Sequence, residues 1–229
     1  MIVDLHSHTY FSFCGHDEPE TLVLKMIDSG VNVLGINDHN YGIDGREGEY
    51  ISTIRGLAEK YKDKINILCG IEISTFPDNC PKQTRSFAEY DYCLVEHLDC
   101  EWSVMNGDIV YYTKGYSCPV GIAHTDLPAF AKLKGVAVED YFKHLADNGI
   151  FWEMNVNYDS IHGYREHAFV KEFVKSRSLQ QAAISTGLRI SVGFDGHYMA
   201  DYNVSRVRDM CDFLNSIGIT PFVPGRERK

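Results

Sequence analysis

Residues 31–39 read VNVLGINDH, a nearly continuous apolar run that stops at an acid and a histidine. A short run of this kind, apolar at consecutive positions, is what a strand buried on both faces requires. Ahead of it, residues 21–29 carry the helical pattern TLVLKMIDS and close on Gly30, a suitable helix terminator. The alternation continues outward in both directions. Strand-like runs are expected at residues 2–6, 31–36, 65–73, 90–95, 120–123, 150–155 and 189–192, and helical patterns at 21–29, 50–62, 138–148, 167–186 and 203–217. Residues 74–89 and 98–118 are less regular and read as long crossovers. Strand–helix alternation implies an α/β fold with a parallel sheet and helices outside, either a barrel or an open doubly wound sheet. The tail ITPFVPGRERK is too short and proline-rich for an eighth strand, and its GRERK end reads as solvated.

The chain has 229 residues, enough for one α/β domain, and residues 1–229 are expected to form a single domain. A formal charge of −10 argues against a generic nucleic-acid binder, which needs a basic face. An acidic enzyme can still take an anionic substrate where metals or a few arginines make the pocket locally positive. The seven cysteines form no C-x-x-C pair and read as reduced thiols, Cys69 and Cys93 buried in strands. The segment MIVDLHSHT has no basic stretch before an apolar run, and no segment has transmembrane length. A cytoplasmic protein without membrane contact is expected.

Chemistry gathers at the ends of the runs. The first ends in His6 and His8, the second in Asp38 and His39, the third in Glu72, the fourth in Glu96 and His97, the fifth in His124, the last in Asp195 and His197. In α/β barrels the C-terminal ends of the strands carry the active site. His6 and His8, two apart on an extended segment, share a face and can grip one ion. Asp195 and His197 repeat the spacing within GFDGH, whose glycines permit close approach. His16, in FCGHDEPE, lies on a loop able to fold back over the site. These are too many ligands for one ion, and Glu72 could bridge two with its two oxygens. His144, His162 and His167 are left to helix or loop positions.

The segments DLHSHT, NDHN, GIEIS, VEHLD, GIAHTD and GFDGH, in this order, resemble the signature of the PHP (polymerase and histidinol phosphatase) family over nearly the whole chain. FCGH after HSHT, and Glu153-x-Asn155, resemble the histidinol-phosphate phosphatases. The resemblance implies a distorted TIM-like (β/α)7 barrel holding two or three divalent ions. His6, His8, Glu72 and Asp195 would hold the first. Glu72 would bridge to a second completed by His97 and His124, and His16, His39 and His197 would hold the third. Glu72, Asp195 and His197 then stand at the catalytic centre. The chain departs from the pattern in three places. His16 follows His8 by eight residues where the family implies about six, which suggests an inserted loop; GFDGH replaces GSDAH; and Thr125 replaces proline after His124.

Imidazole and carboxylate ligands suit zinc, manganese or iron. The expected reaction is hydrolysis of a phosphomonoester, with histidinol phosphate the best named substrate, by a hydroxide shared between metals. Arg165, in SIHGYREH, is the candidate phosphate clamp, with Tyr158 and Asn155 lining the same pocket. Asp38 and Asp4 are expected to orient neighbours, Glu96 and Asp126 to make local hydrogen bonds, and Cys14 to pack. The alternatives are a nucleotide or oligonucleotide phosphodiesterase, and an amidohydrolase, which often needs a strand-end lysine that is missing here. The expected partner is a small phosphoester; stable nucleic-acid binding is not expected.

Overall fold

A computed structural model describes residues 1–225; the last four residues of the GRERK tail lie outside the described region. Seven parallel strands follow one another in chain order: β1 (Val3–Asp4), β2 (Val33–Ile36), β3 (Asn66–Ile73), β4 (Tyr92–Val95), β5 (Val120–Ile122), β6 (Phe151–Asn155) and β7 (Ile190–Gly193). The sheet curls until its edges meet. Leu5 N–H donates to Val192 C=O at 2.8 Å and Asp195 N–H to His6 C=O at 2.7 Å, so β7 returns to β1. The result is the distorted (β/α)7 barrel expected from the sequence. All seven strands lie within the anticipated runs apart from one residue at the end of β7, because strands buried on both faces leave a continuous apolar trace.

The inside of the barrel is tied together by hydroxyls whose hydrogen bonds replace those lost to water. The Tyr92 hydroxyl, fully buried, crosses from β4 to donate to Leu5 C=O at 2.6 Å. The Tyr50 hydroxyl shares its one proton between the Ile36 and Gly70 carbonyls, at 2.7 and 2.8 Å, fastening helix α2 (Glu47–Tyr61) to β2 and β3. Trp152 faces outward, packed against Phe142, Phe169 and Phe173, with its indole N–H donating to Thr125 C=O at 3.0 Å.

The outer helices are α1 (Pro19–Asp28), α2, α3 (Ile109–Thr113), α4 (Leu127–Leu133), α5 (Val138–Asp147), α6 (Ala168–Lys175), α7 (Arg177–Thr186) and α8 (Val204–Ser216). Two departures from the sequence reading stand out. The helix expected over 167–186 is two helices, broken at Ser176, whose extended backbone and hydroxyl cap the second by accepting Leu179 N–H at 3.4 Å. Helix α4 was not anticipated; it starts where Asp126 caps Ala129 N–H at 2.9 Å with Pro128 in the first turn. The seven cysteines are all free, with Cys69 and Cys93 buried as expected. No helix among the described residues is long and apolar enough to cross a membrane.

Candidate metal centre

The strand ends converge at one mouth of the barrel, and Glu72 lies at the middle of what they carry. It is the last residue but one of β3 and almost fully buried, with its two oxygens divided between neighbours. Oε1 lies 3.2 Å from His6 Nε2 and 3.3 Å from His124 Nε2; Oε2 lies 3.3 Å from His8 Nε2 and 3.0 Å from His39 Nδ1. Asp195 closes the other side, its Oδ1 3.2 Å from His8 Nε2 and 3.4 Å from His6 Nε2. The two Nε2 atoms of His6 and His8 are themselves 3.2 Å apart.

The remaining expected residues fall into place unequally. His97 is half-exposed, with its ring 5.5 Å from that of His124 and edge-on to Trp102. His197 and His39 both stack on His8, with ring centres 4.5 and 4.7 Å from it. His16 does not join them. It is exposed and lies flat against Tyr198, ring centres 4.0 Å apart. The side chain that does come in from this loop is Cys14, whose sulfur groups with ligand atoms of His8, His39 and His197, all within 4.8 Å of one another. Glu96 also approaches, 3.7 Å from His39 Nδ1, and forms a group with His39 and Glu72.

Behind these residues sits a layer of carboxylates that fix them. Glu153 on β6 accepts from His6 Nδ1 at 2.7 Å, which turns Nε2 of that ring inward. Asn155, two residues on, donates to Glu153 at 3.2 Å and to Asp195 at 3.4 Å, so it reaches the centre. Asp4 accepts the His6 and Phe194 N–H groups, both at 3.0 Å, and joins β1 to β7. Asp38 accepts Thr9 N–H at 2.8 Å, Ser12 N–H at 3.1 Å and the Thr9 hydroxyl at 2.6 Å, and so orients the loop after β1 rather than facing the centre. Tyr158 is half-exposed under the Arg206 guanidinium, and Arg165 is exposed.

Three of the expected ligands hold left-handed backbones, φ +55° at His97, +24° at His124 and +58° at Asp195. Non-glycine residues rarely adopt this region, and such strain collects at functional sites. The charges balance only through each other. Burial would raise Glu72 and Asp195, yet the surrounding imidazoles, His6 foremost, hold both well below the ordinary carboxylate range. Burial opposes a charge on His124, but the Glu72 carboxylate overrides it and pushes the ring up to about 9. Burial takes His39 down to about 3 and His197 to about 4, leaving neutral rings with free lone pairs. Burial also pushes the Cys14 thiol up to about 12, with Glu72, Asp195 and Asp38 adding to it, so it is neutral unless a cation is near. Buried carboxylates, neutral imidazoles and a thiol on one small volume are a donor set that fits divalent metal ions.

A profile of the PHP domain matches residues 4–204. The chain belongs to the PHP domain family. Comparison with curated proteins gives no match. Among solved structures, this PHP domain is similar to histidinol phosphate phosphatase from Lactococcus lactis subsp. lactis Il1403, solved with zinc, L-histidinol and phosphate; identity is 16%, the TM-score 0.66, and 96% of this chain and 94% of that one are covered. It is also similar to a putative histidinol phosphatase from Listeria monocytogenes, at 14% identity and TM-score 0.54, covering 88% of this chain and 97% of that one. A third likeness is to a chain in an archaeal ribonuclease P solved with mature tRNA, at 13% identity and TM-score 0.51, covering 95% and 83%. At these identities the likeness is one of fold. Family and donor set together make this PHP domain a metal-dependent phosphoesterase.

Sequence reasoning missed three members of the centre. The sequence pattern assigns Cys14 to packing, Glu96 to a local hydrogen bond and His162 to a helix or loop position. His162 in fact reaches Asp195 Oδ2 at 3.3 Å and is held from behind by Asp159 at 2.7 Å. His167 also comes near, stacked parallel to His124 with ring centres 6.1 Å apart. Only the D-x-x-H spacing of Asp159 and His162 could have signalled the pair, and that spacing is common in turns.

Proposed function

We propose that this PHP domain, as one domain, hydrolyses a phosphomonoester at a trinuclear metal centre, with histidinol phosphate the first candidate substrate. The observation that carries this reading is Glu72, whose two oxygens face different pairs of imidazoles, His6 with His124 and His8 with His39. Each oxygen touches one of the close pair His6 and His8 and one ring beyond it, His124 or His39, and a carboxylate so placed is suited to bridging ions. His6, His8, Asp195 and Glu72 would hold one ion, Glu72, His97 and His124 a second, and His39 and His197, with a residue of the 10–16 loop, a third. Divalent ions there supply Lewis acidity and make water acidic enough to serve as a nucleophile near neutral pH.

The chain's own residues account for orientation. Asp159 fixes His162 so that its far nitrogen faces Asp195 and can donate to a phosphoryl or leaving-group oxygen. Arg165, on the same loop as His162, is the candidate phosphate clamp. A cavity of about 520 Å³ lined by Asn40, Tyr41, Lys82 and Arg85 opens beside His39, on whose ring Tyr41 stacks at 4.8 Å. Lys82 and Arg85 in its lining are outnumbered by Asp44, Glu47 and Asp78, so the cavity is not itself an anion site. Trp102 and Phe76, packed edge-on at 5.3 Å and partly exposed next to His97, offer an apolar wall for the organic part of the substrate.

The test is phosphate release from histidinol phosphate, mononucleotides and dinucleotides by protein loaded separately with zinc, manganese and iron. Turnover confined to histidinol phosphate supports the reading. Preference for dinucleotides replaces it with a phosphodiesterase, and silence on the whole panel with every metal refutes phosphoester hydrolysis.

A further inference from the structure

We infer that Cys14, not His16, completes the third metal position, which makes that position a nitrogen–sulfur site for a thiophilic divalent ion of the zinc class. The inference rests on the metal-centre reading above.

The loop after β1 is pinned at both ends, and the pins decide which of its residues faces inward. At its start, Asp38 holds Thr9 and Ser12 through three hydrogen bonds of 2.6–3.1 Å, and the Ser12 hydroxyl accepts the His39 N–H at 2.9 Å. At its far end, His16 N–H donates to His197 C=O at 3.2 Å. The loop thus runs from the residue beside one expected ligand to the backbone of the other, and Cys14 lies between. Gly15 presses the backbone against the first pin, since a Cβ there would stand 2.2 Å from Thr9 C=O. The imidazole of His16 leaves in the other direction, onto Tyr198.

The position gathers donor atoms. Cys14 Sγ groups with ligand atoms of His8, His39 and His197, all within 4.8 Å of one another. His39, 8% exposed, has a buried Nδ1 that finds no hydrogen bond of acceptable geometry, although Glu72 Oε2 is 3.0 Å away. Cys14 also stands six residues after His8, the spacing that the family resemblance implies for a histidine ligand. No inserted loop is then required; a cysteine occupies the place and His16 is a bystander.

A thiolate among imidazoles prefers zinc, cobalt or iron(II) to manganese or magnesium. The third position therefore discriminates among ions in a way that the nitrogen–oxygen positions around Glu72 do not.

Titration of the metal-free full chain with Co²⁺, followed by absorption, tests this. Visible ligand-field bands report any bound cobalt, and a near-ultraviolet band reports a cobalt–thiolate bond. The expected result is both, with Cys14→Ser abolishing the thiolate band and one equivalent of bound metal while the other ligand-field bands persist. Cys14→His restores the equivalent without the band, which separates ligation from a folding defect, and His16→Ala retains band and stoichiometry. A thiolate band that survives Cys14→Ser, or ligand-field bands with no thiolate band in the unmodified chain, overturns the assignment and leaves the metal centre standing. Failure to take up any cobalt overturns both.

Discussion

Glu153 Oε1 stands 2.7 Å from His6 Nδ1, and both side chains are completely buried. The other carboxylate oxygen accepts the His124 N–H at 2.9 Å, so one residue of β6 sets the ring of one ligand and the strained backbone of another. A carboxylate behind a metal-binding imidazole fixes its tautomer and raises its basicity. Glu153→Gln keeps the shape and removes the charge. Metal affinity or turnover should fall by roughly 10–100-fold, the usual effect of losing such a partner. Unchanged zinc affinity by competition with a chromophoric chelator would remove Glu153 from the account.

Gly193 ends β7 directly against this pair. A Cβ there would stand 2.0 Å from Glu153 Oε1 and 2.5 Å from His6 Cβ, neither of which can move freely. Gly193→Ala should therefore lower stability by about 1–3 kcal/mol through overpacking. Thermal denaturation would register this as a drop of several degrees, accompanied by weaker zinc binding. A variant with wild-type melting and zinc affinity would mean that the barrel relaxes around the added methyl.

Glu72→Gln removes the charge shared by four imidazoles, whereas Arg165→Ala removes an exposed side chain. The first should cost much more than the 10–100-fold typical of an outer partner, together with at least one bound ion. The second should weaken substrate binding while leaving the metal content intact. Metal analysis and steady-state kinetics on both variants make the comparison, and equal losses would count against the roles given to them.

Removing metal should also lower the melting temperature. An ion at about a thousand times its Kd adds about 4 kcal/mol to the folded state, on the order of 10 °C for a chain of this size. The stripped protein recovers part of this through the pairing of His6 and His124 with Glu72, so it should melt lower yet still cooperatively. Identical melting curves with and without a strong chelator would contradict metal binding at the buried cluster.

The parallel sheet was legible in the sequence because its strands are buried on both faces and six of the seven runs lead into a metal-competent side chain, while its closure into a barrel came from the family resemblance. The break at Ser176 was hidden, since the hydrophobic pattern of α6 and α7 runs on across it. The centre was legible where a ligand ends a strand, as at His6, Glu72, His124 and Asp195. It was not legible on loops. Nothing in HSHTYFSFCGH tells that Asp38, far along the chain, pins Thr9 and Ser12 and turns Cys14 toward His39. His162 was hidden for the same reason, for it reaches Asp195 only through the turn that Asp159 stabilises.

The most direct test of the account is phosphate release from histidinol phosphate by chelator-stripped protein, before and after zinc is added back, with Glu72→Gln alongside. The account predicts no release from stripped protein, recovery with zinc, and none from Glu72→Gln under either condition. Release from the stripped chain, or full turnover by the Glu72 variant, would contradict a reaction carried out at this metal centre.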